Sequence, residues 1–162
     1  MDIEGVISML VNEIMIKNVF TAHPEQTIKE LLTIMIENKI GGVPVIDENG
    51  KLLGMISDGD ILRYISPRKQ TIHDYFLHIT VIPDVTLSTA VKTSLQQPVS
   101  RLLKNRKIVT LSEDDDLSKA VSLISKHHFK KIPVVDTENR VVGVVSRGDA
   151  IRMIYKDIIE KI

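Results

Sequence analysis

A shift of 89 residues lays one half of this chain on the other. GGVPVIDENGKLLGMISDGDILRYI, residues 41–65, falls on KKIPVVDTENRVVGVVSRGDAIRMI, residues 130–154, and the register holds without a gap from about Ile16. Pro44 meets Pro133, Asp47 meets Asp136, and Gly54 meets Gly143. Ser57, Gly59, Asp60 and Arg63 meet Ser146, Gly148, Asp149 and Arg152. Such a run marks a duplicated unit, and a repeat of this kind constrains the fold more than any local propensity. Duplicated units are expected to pack about a pseudo-two-fold axis. The expected organisation is an N-terminal helix and first unit over residues 1–66, a partly helical linker over 67–94, and a second unit with a C-terminal helix over 95–162.

Each copy carries the same local pattern. A short extended stretch, Val19-Phe20-Thr21 or Ile108-Val109-Thr110, leads through a polar turn into a helix. In copy one Thr27 stands three residues before Glu30, the spacing of a capping box. Ile28, Leu31, Leu32 and Met35 then form one apolar face; copy two repeats it with Asp116 as the cap and Leu117, Ala120, Val121 and Ile124 behind it. A strand follows, Val43–Ile46 or Ile132–Val135, whose proline predicts an edge position or the strand's first residues. Asp47-Glu48-Asn49-Gly50 predicts a hairpin turn. The returning strand, Leu52–Ser57 or Val141–Ser146, runs through Ser-x-Gly-Asp into a second helix. In copy two that helix is expected to continue with Ile151, Ile154, Tyr155, Ile158, Ile159 and Ile162 on one face. The unit is β-α-β-β-α, and two of them make an α/β fold. Ile72, Tyr75, Phe76 and Ile79, then Leu87, Val91 and Leu95, give helical spacing in the linker. Val6, Leu10, Val11 and Ile14 do the same at the start, and these helices are expected to pack on the pair or on a second chain.

The totals exclude several functions. The 21 basic and 21 acidic residues cancel, which argues against nucleic acid as a partner. With no Cys, disulfides, thiolate metal sites and cysteine nucleophiles are ruled out. No apolar run is long enough to span a bilayer, and the acidic start (Asp2, Glu4) is unlike a secretory signal, so a cytoplasmic location is expected. His127 and His128 are adjacent, a spacing that suits a solvated helix end better than a metal site. His23, His73 and His78 form no cluster. The run Glu113–Asp116 fits the negative start of a helix.

The motif G-x-P-V-h-D-x-x-G followed by h-h-G-h-h-S-x-x-D (h, an apolar residue), present twice over nearly the whole chain, resembles the CBS domain, named after cystathionine β-synthase. The resemblance implies a tandem pair that binds an adenosyl ligand between its copies: AMP, ADP, ATP or S-adenosylmethionine. It further implies a homodimer, a regulatory role acting in trans on an effector protein that the sequence does not name, no required cofactor and no catalytic activity.

Ser57-Asp58-Gly59-Asp60 and Ser146-Arg147-Gly148-Asp149 are the candidate ligand groups, each where a strand passes into a helix. A helix start offers N–H groups to a phosphate, and a carboxylate can accept from two ribose hydroxyls. Ser and Asp are equally the favoured helix caps, so the same residues also have a purely structural explanation. By resemblance, Asp149 shares a site with Lys17 and Val19, and Asp60 shares one with Arg106 and Ile108. Ile40-Gly41-Gly42 and Phe129-Lys130-Lys131 line the central cleft, and Val19, Ile40 and Ile108 sandwich the base. Copy one has Asp58 where copy two has Arg147, and a charge at about 6 Å from a phosphate is worth about 3 kcal/mol at a dielectric near 20, before screening. On that ground the Asp149 site is expected to favour phosphorylated ligands. The competing readings are a structural or dimerisation module without a functional ligand and, more remotely, an enzyme using the cleft carboxylates.

Overall fold

The computed structural model describes residues 9–66, 87–104, 108–127 and 129–156. Unit one contains α2 (Ile28–Glu37), the antiparallel hairpin β1 (Gly42–Ile46) and β2 (Leu52–Ser57), and α3 (Asp58–Ile65). Unit two repeats it with α5 (Leu117–His127), β4 (Lys131–Val135), β5 (Val141–Ser146) and α6 (Arg147–Ile154), and adds β3 (Leu111–Ser112) beside β4. Two short segments stand outside this scheme: α1 (Val11–Ile14) and a 3₁₀ turn at Val99–Leu102, which follows α4 (Leu87–Leu95).

The local expectations are met where the cause is local. Thr27 accepts from the Glu30 N–H while the Glu30 carboxylate takes the Thr27 N–H, closing the capping box. The hairpin turn is pinned by Asp47 Oδ1, which accepts from the N–H groups of Asn49 and Lys51. The left-handed residue of that turn is Gly50 (φ 79°), and in unit two it is the equivalent Asn139 (φ 64°). The first strand is later and shorter than expected: Val19–Thr21 makes no ladder, and pairing is reduced to Ala22 against Val45 and to Leu111–Ser112 against Val134–Val135. This explains the prolines. Pro133 lies on the central strand of the three-stranded sheet, not at an edge. The Pro44 carbonyl accepts from the Ala22 N–H at 3.0 Å, so the missing proline N–H faces a neighbour strand that has not yet begun.

The two units are joined in two ways. The hairpin turns meet through Lys51 and Arg140, with the Leu52 N–H donating to the Asn139 carbonyl (2.9 Å) and the Val141 N–H donating to the Gly50 carbonyl (3.1 Å). These bonds interchange under the 89-residue shift, as a pseudo-two-fold axis requires. The second connection is an exchange of segments. Val11, Ile14 and Met15 are buried in the core of unit two with Leu111, Leu117 and Ile132. Val99 and Leu102 are buried in the core of unit one with Ile28, Leu31 and Val45. The Val11, Asn12 and Leu117 N–H groups donate to the carbonyls of Asp115, Glu113 and Met9. The Val99, Ser100 and Ile28 N–H groups make the matching bonds to Gln26, Pro24 and Gln97. Each unit is thus completed by the segment that precedes the other.

Leu87, Val91 and Leu95 do share a helix, and Leu95 packs against the core of unit one. The face of α6 does not turn inward: Ile151 and Tyr155 are exposed. Val6, the linker residues Ile72, Tyr75, Phe76 and Ile79, and Ile158, Ile159 and Ile162 lie outside the described residues. Among the described residues no helix is long and apolar enough to cross a membrane.

Candidate functional site

A cavity of about 390 Å³ opens between the units, within the size range of small-molecule sites. Unit one supplies the β2–α3 junction and unit two supplies Ile108 and the approach to β4. Of the residues singled out in the sequence, Ser57, Asp60, Gly41, Ile108, Phe129 and Lys130 line it together. Ile40 instead lines an apolar groove between α2 and α3. Ser146, Arg147, Gly148, Asp149, Lys17 and Val19 are not part of this cavity. Arg106 lies outside the described residues.

Asp60 is the centre of the cavity's polar wall. At 8% exposure it is the one buried charged residue among those described. Its Oδ2 accepts from the Ser57 N–H (3.0 Å) and hydroxyl (2.6 Å), while the Asp60 N–H makes a longer contact, 3.4 Å, back to that hydroxyl. Its Oδ1 accepts from Lys104 Nζ at 2.6 Å and Arg63 at 2.8 Å. Burial pushes the Asp60 carboxyl up, but the bonds from Lys104, Ser57 and Arg63 outweigh it and hold the group well below the usual carboxylate range. Asp60 stays ionised at physiological pH, with its Oδ2 held by Ser57 and its Oδ1 shared by Lys104 and Arg63, so a ligand hydroxyl reaches Oδ1 by displacing one of those two exposed side chains. Asp149 repeats the cap: Ser146 donates to its Oδ2 and Arg152 to its Oδ1. What it lacks is Lys104. The exchanged segments are related by a shift of 88, not 89, and at that shift Lys104 matches Ile16. Lys104 is therefore a site residue to which the repeat gives no clue, since neither register sets it against a basic residue, whereas Arg63 was visible in the repeat as the partner of Arg152 but was not read as a site residue.

The N–H groups at the start of α3 are not free for a phosphate. The Asp58 N–H donates to the Gly41 carbonyl, the Gly59 N–H to Asp58 Oδ1, and the Asp60 N–H faces Ser57. Positive charge comes from side chains: Arg63, Lys104, Lys130 and Lys131 line the cavity against Asp58 and Asp60. Nor does Asp58 stand unopposed. Lys130 of unit two reaches across to it, 3.2 Å to Oδ1 and 3.3 Å to Oδ2. The contrast drawn from Asp58 and Arg147 assumed an unpaired carboxylate, and the structure supplies its counterion. Burial pushes the Lys131 ammonium below its ordinary value, against the upward pull of Asp149 on the other side. The arrangement offers an ionised double acceptor, an apolar wall of Ile108, Val109 and Pro133, and several ammonium groups within one cleft.

The model of the CBS domain family matches residues 11–67 and again 99–156. An uncharacterized protein of Methanocaldococcus jannaschii is 29% identical over 151 residues, spanning 88% of this chain and 89% of its own. Inosine-5′-monophosphate dehydrogenase of Aquifex aeolicus is 31% identical over 138 residues, which cover 85% of this chain but 23% of the enzyme. Among solved structures, the CBS domain pair of protein MJ0100, in complex with 5′-methylthioadenosine and S-adenosyl-L-methionine, superposes with a TM-score of 0.66 at 26% identity, over 92% of this chain and 98% of that one.

Proposed function

We propose a ligand-sensing role from one premise: this chain belongs to the CBS-domain family, as a tandem pair. The reading is a regulatory module that holds an adenosyl ligand in the cleft between its units and reports occupancy to an effector protein in trans. The observation that carries it is the buried, ionised Asp60 in a cavity built by both units. A ribose diol suits that carboxylate once it displaces Lys104 or Arg63 from Oδ1, with Ile108, Val109 and Pro133 as apolar lining for the base. The adenosyl ligands of the MJ0100 pair support the same class. Because residues of both units line the cavity, a bound ligand changes the fit between them, which is what a sensor needs. The reading is regulatory and not catalytic: Asp60 and Asp149 start different helices in different units, and the serine bonded to each is the cap of its own helix.

The module is further proposed to be a cytoplasmic homodimer. Leu62 on α3 and Ile151 on α6 occupy the same repeat position and are both strongly exposed, 64% and 63%. A self-similar apolar face of this kind suits an isologous two-fold contact. Sedimentation velocity should show a dimer that Leu62→Glu with Ile151→Glu converts to monomer; a monomeric native protein would rule the dimer out.

A thermal-shift panel tests the ligand class. AMP, ADP, ATP, S-adenosylmethionine or 5′-methylthioadenosine at about 100 times its dissociation constant adds about 2.7 kcal/mol of stability. Melting unmoved by all five would favour a purely structural pair.

A further inference from the structure

The carboxylate at the centre of the cleft is already occupied. Each carboxylate oxygen offers two lone pairs, and both oxygens of Asp60 are full. Oδ2 takes the N–H and hydroxyl of Ser57; Oδ1 takes Arg63 at 2.8 Å and Lys104 Nζ at 2.6 Å. Two of these residues belong to the helix start. Ser57 caps α3, Arg63 stands three residues past Asp60 on the same helix, and the repeat copies both around Asp149 as Ser146 and Arg152. Lys104 is different. It comes from 44 residues away, on the segment that completes unit one, and the residues matching it in the other half are Met15 and Ile16. The helix start does not need it, since α6 is capped without such a donor among the described residues. Its backbone is held: Leu102 is buried in unit one, and Leu103 lies so close over Gly54 that an added Cβ there would come within 2.5 Å of it. The side chain of Lys104, 47% exposed, is the part that can leave.

We propose that Lys104 is a built-in competitor of the ligand: it holds Asp60 Oδ1 while the cleft is empty and turns out to water when a ribose hydroxyl takes its place. This role rests on the adenosyl reading above and deepens it. Of the two exposed donors on Oδ1, Lys104 is the one that yields. Its single ammonium ends a flexible stem, and its release leaves the helix start intact, whereas Arg63 lies back over Gly59 of its own helix. The competition lowers the affinity for the nucleoside and supplies a signal, because occupancy frees a cation that the empty cleft holds.

The test is calorimetric titration of the full chain with 5′-methylthioadenosine, whose lack of a phosphate leaves a nearby cation nothing to attract. Removing the lysine should then strengthen binding. Lys104→Met should tighten 5′-methylthioadenosine about fivefold, the scale of one part-exposed ion pair. Lys104→Ala should do the same without adding a long apolar side chain, and Lys104→Arg, which keeps a competing donor, should stay within about twofold of the native protein. Raising salt from about 50 to about 500 mM screens the pair, and should tighten the native protein about twofold while leaving Lys104→Met unchanged. Thermal melting of each variant confirms that it is folded. Binding by folded Lys104→Met and Lys104→Ala that is equal to the native protein's, or weaker, overturns the competition and leaves the adenosyl reading standing. Binding by neither the native protein nor the variants overturns both.

Discussion

Val11→Asp will destabilise the second unit although Val11 precedes the first. Val11 is fully buried, its side chain packed with Leu111, Leu117 and Val134 in the core of unit two and its N–H donating to the Asp115 carbonyl. Among the described residues the one buried charged side chain is Asp60 of unit one, so no buried cation there compensates the new carboxylate. An uncompensated buried charge costs about 3–5 kcal/mol, a large part of the 5–15 kcal/mol that holds an ordinary domain folded. At about 2–4 °C per kcal/mol for a chain of this size, the melting temperature should fall by about 10 °C. Amide exchange should locate the loss in β3, β4 and α5. The mirror substitution, Val99→Asp, should give the same penalty with the loss in unit one, since Val99 is buried against Ile28 and Leu31. If Val11→Asp melts within about 2 °C of the native protein, the segment exchange is not what completes the core.

The exchange also marks the limit of what could be read from residues. The repeat, the Thr27–Glu30 capping box, the hairpin at Asp47–Gly50 and the Ser-x-x-Asp helix starts are short-range devices, and each reports itself through a few neighbouring residues. Which core Val11 enters is decided by packing across more than a hundred residues, from Val11 to Leu117, and an amphipathic pattern is silent about its partner. The one-residue difference between the 88 and 89 registers is likewise visible only once the segments are seen on their hosts. The proline expectation holds for Pro44, on a strand of a two-stranded sheet, and misses for Pro133, on a central strand: how far the short first strand extends is a tertiary outcome, and it decides whether an N–H is needed. In the site, chemistry was easier to foresee than pairing. Asp60 was evident as a carboxylate at a helix start, with Ser57 and Arg63 three residues to either side, while its Lys104 donor and the Lys130 counterion of Asp58 depend on side chains brought from elsewhere in the chain.

Asp60→Ala should abolish ligand binding while leaving the protein folded. A ribose diol held by the carboxylate makes two hydrogen bonds to a charged group, each worth about 1.5–3 kcal/mol. Losing both weakens affinity by about a hundredfold or more. The structural cost is smaller: a lost helix cap is worth about 0.5–2 kcal/mol. Lys104 and Arg63, whose side chains are 47% and 67% exposed, become hydrated, not stranded. Asp149→Ala removes the same kind of cap from α6 and so should cost similar stability. It takes nothing from the cavity at Asp60, and binding there should change by less than about threefold. The pair of substitutions separates the two roles that Ser-x-x-Asp can serve: equal stability losses with unequal binding losses identify Asp60 as a ligand group, whereas equal effects on both would leave it a cap.

The most direct measurement is calorimetric titration of 5′-methylthioadenosine into the native protein, Asp60→Ala and Asp149→Ala, because this ligand tests the nucleoside contacts without the phosphate. The account predicts saturable binding to the native protein and to Asp149→Ala and none to folded Asp60→Ala. Binding that survives Asp60→Ala unchanged, or that is absent from the native protein, would contradict it.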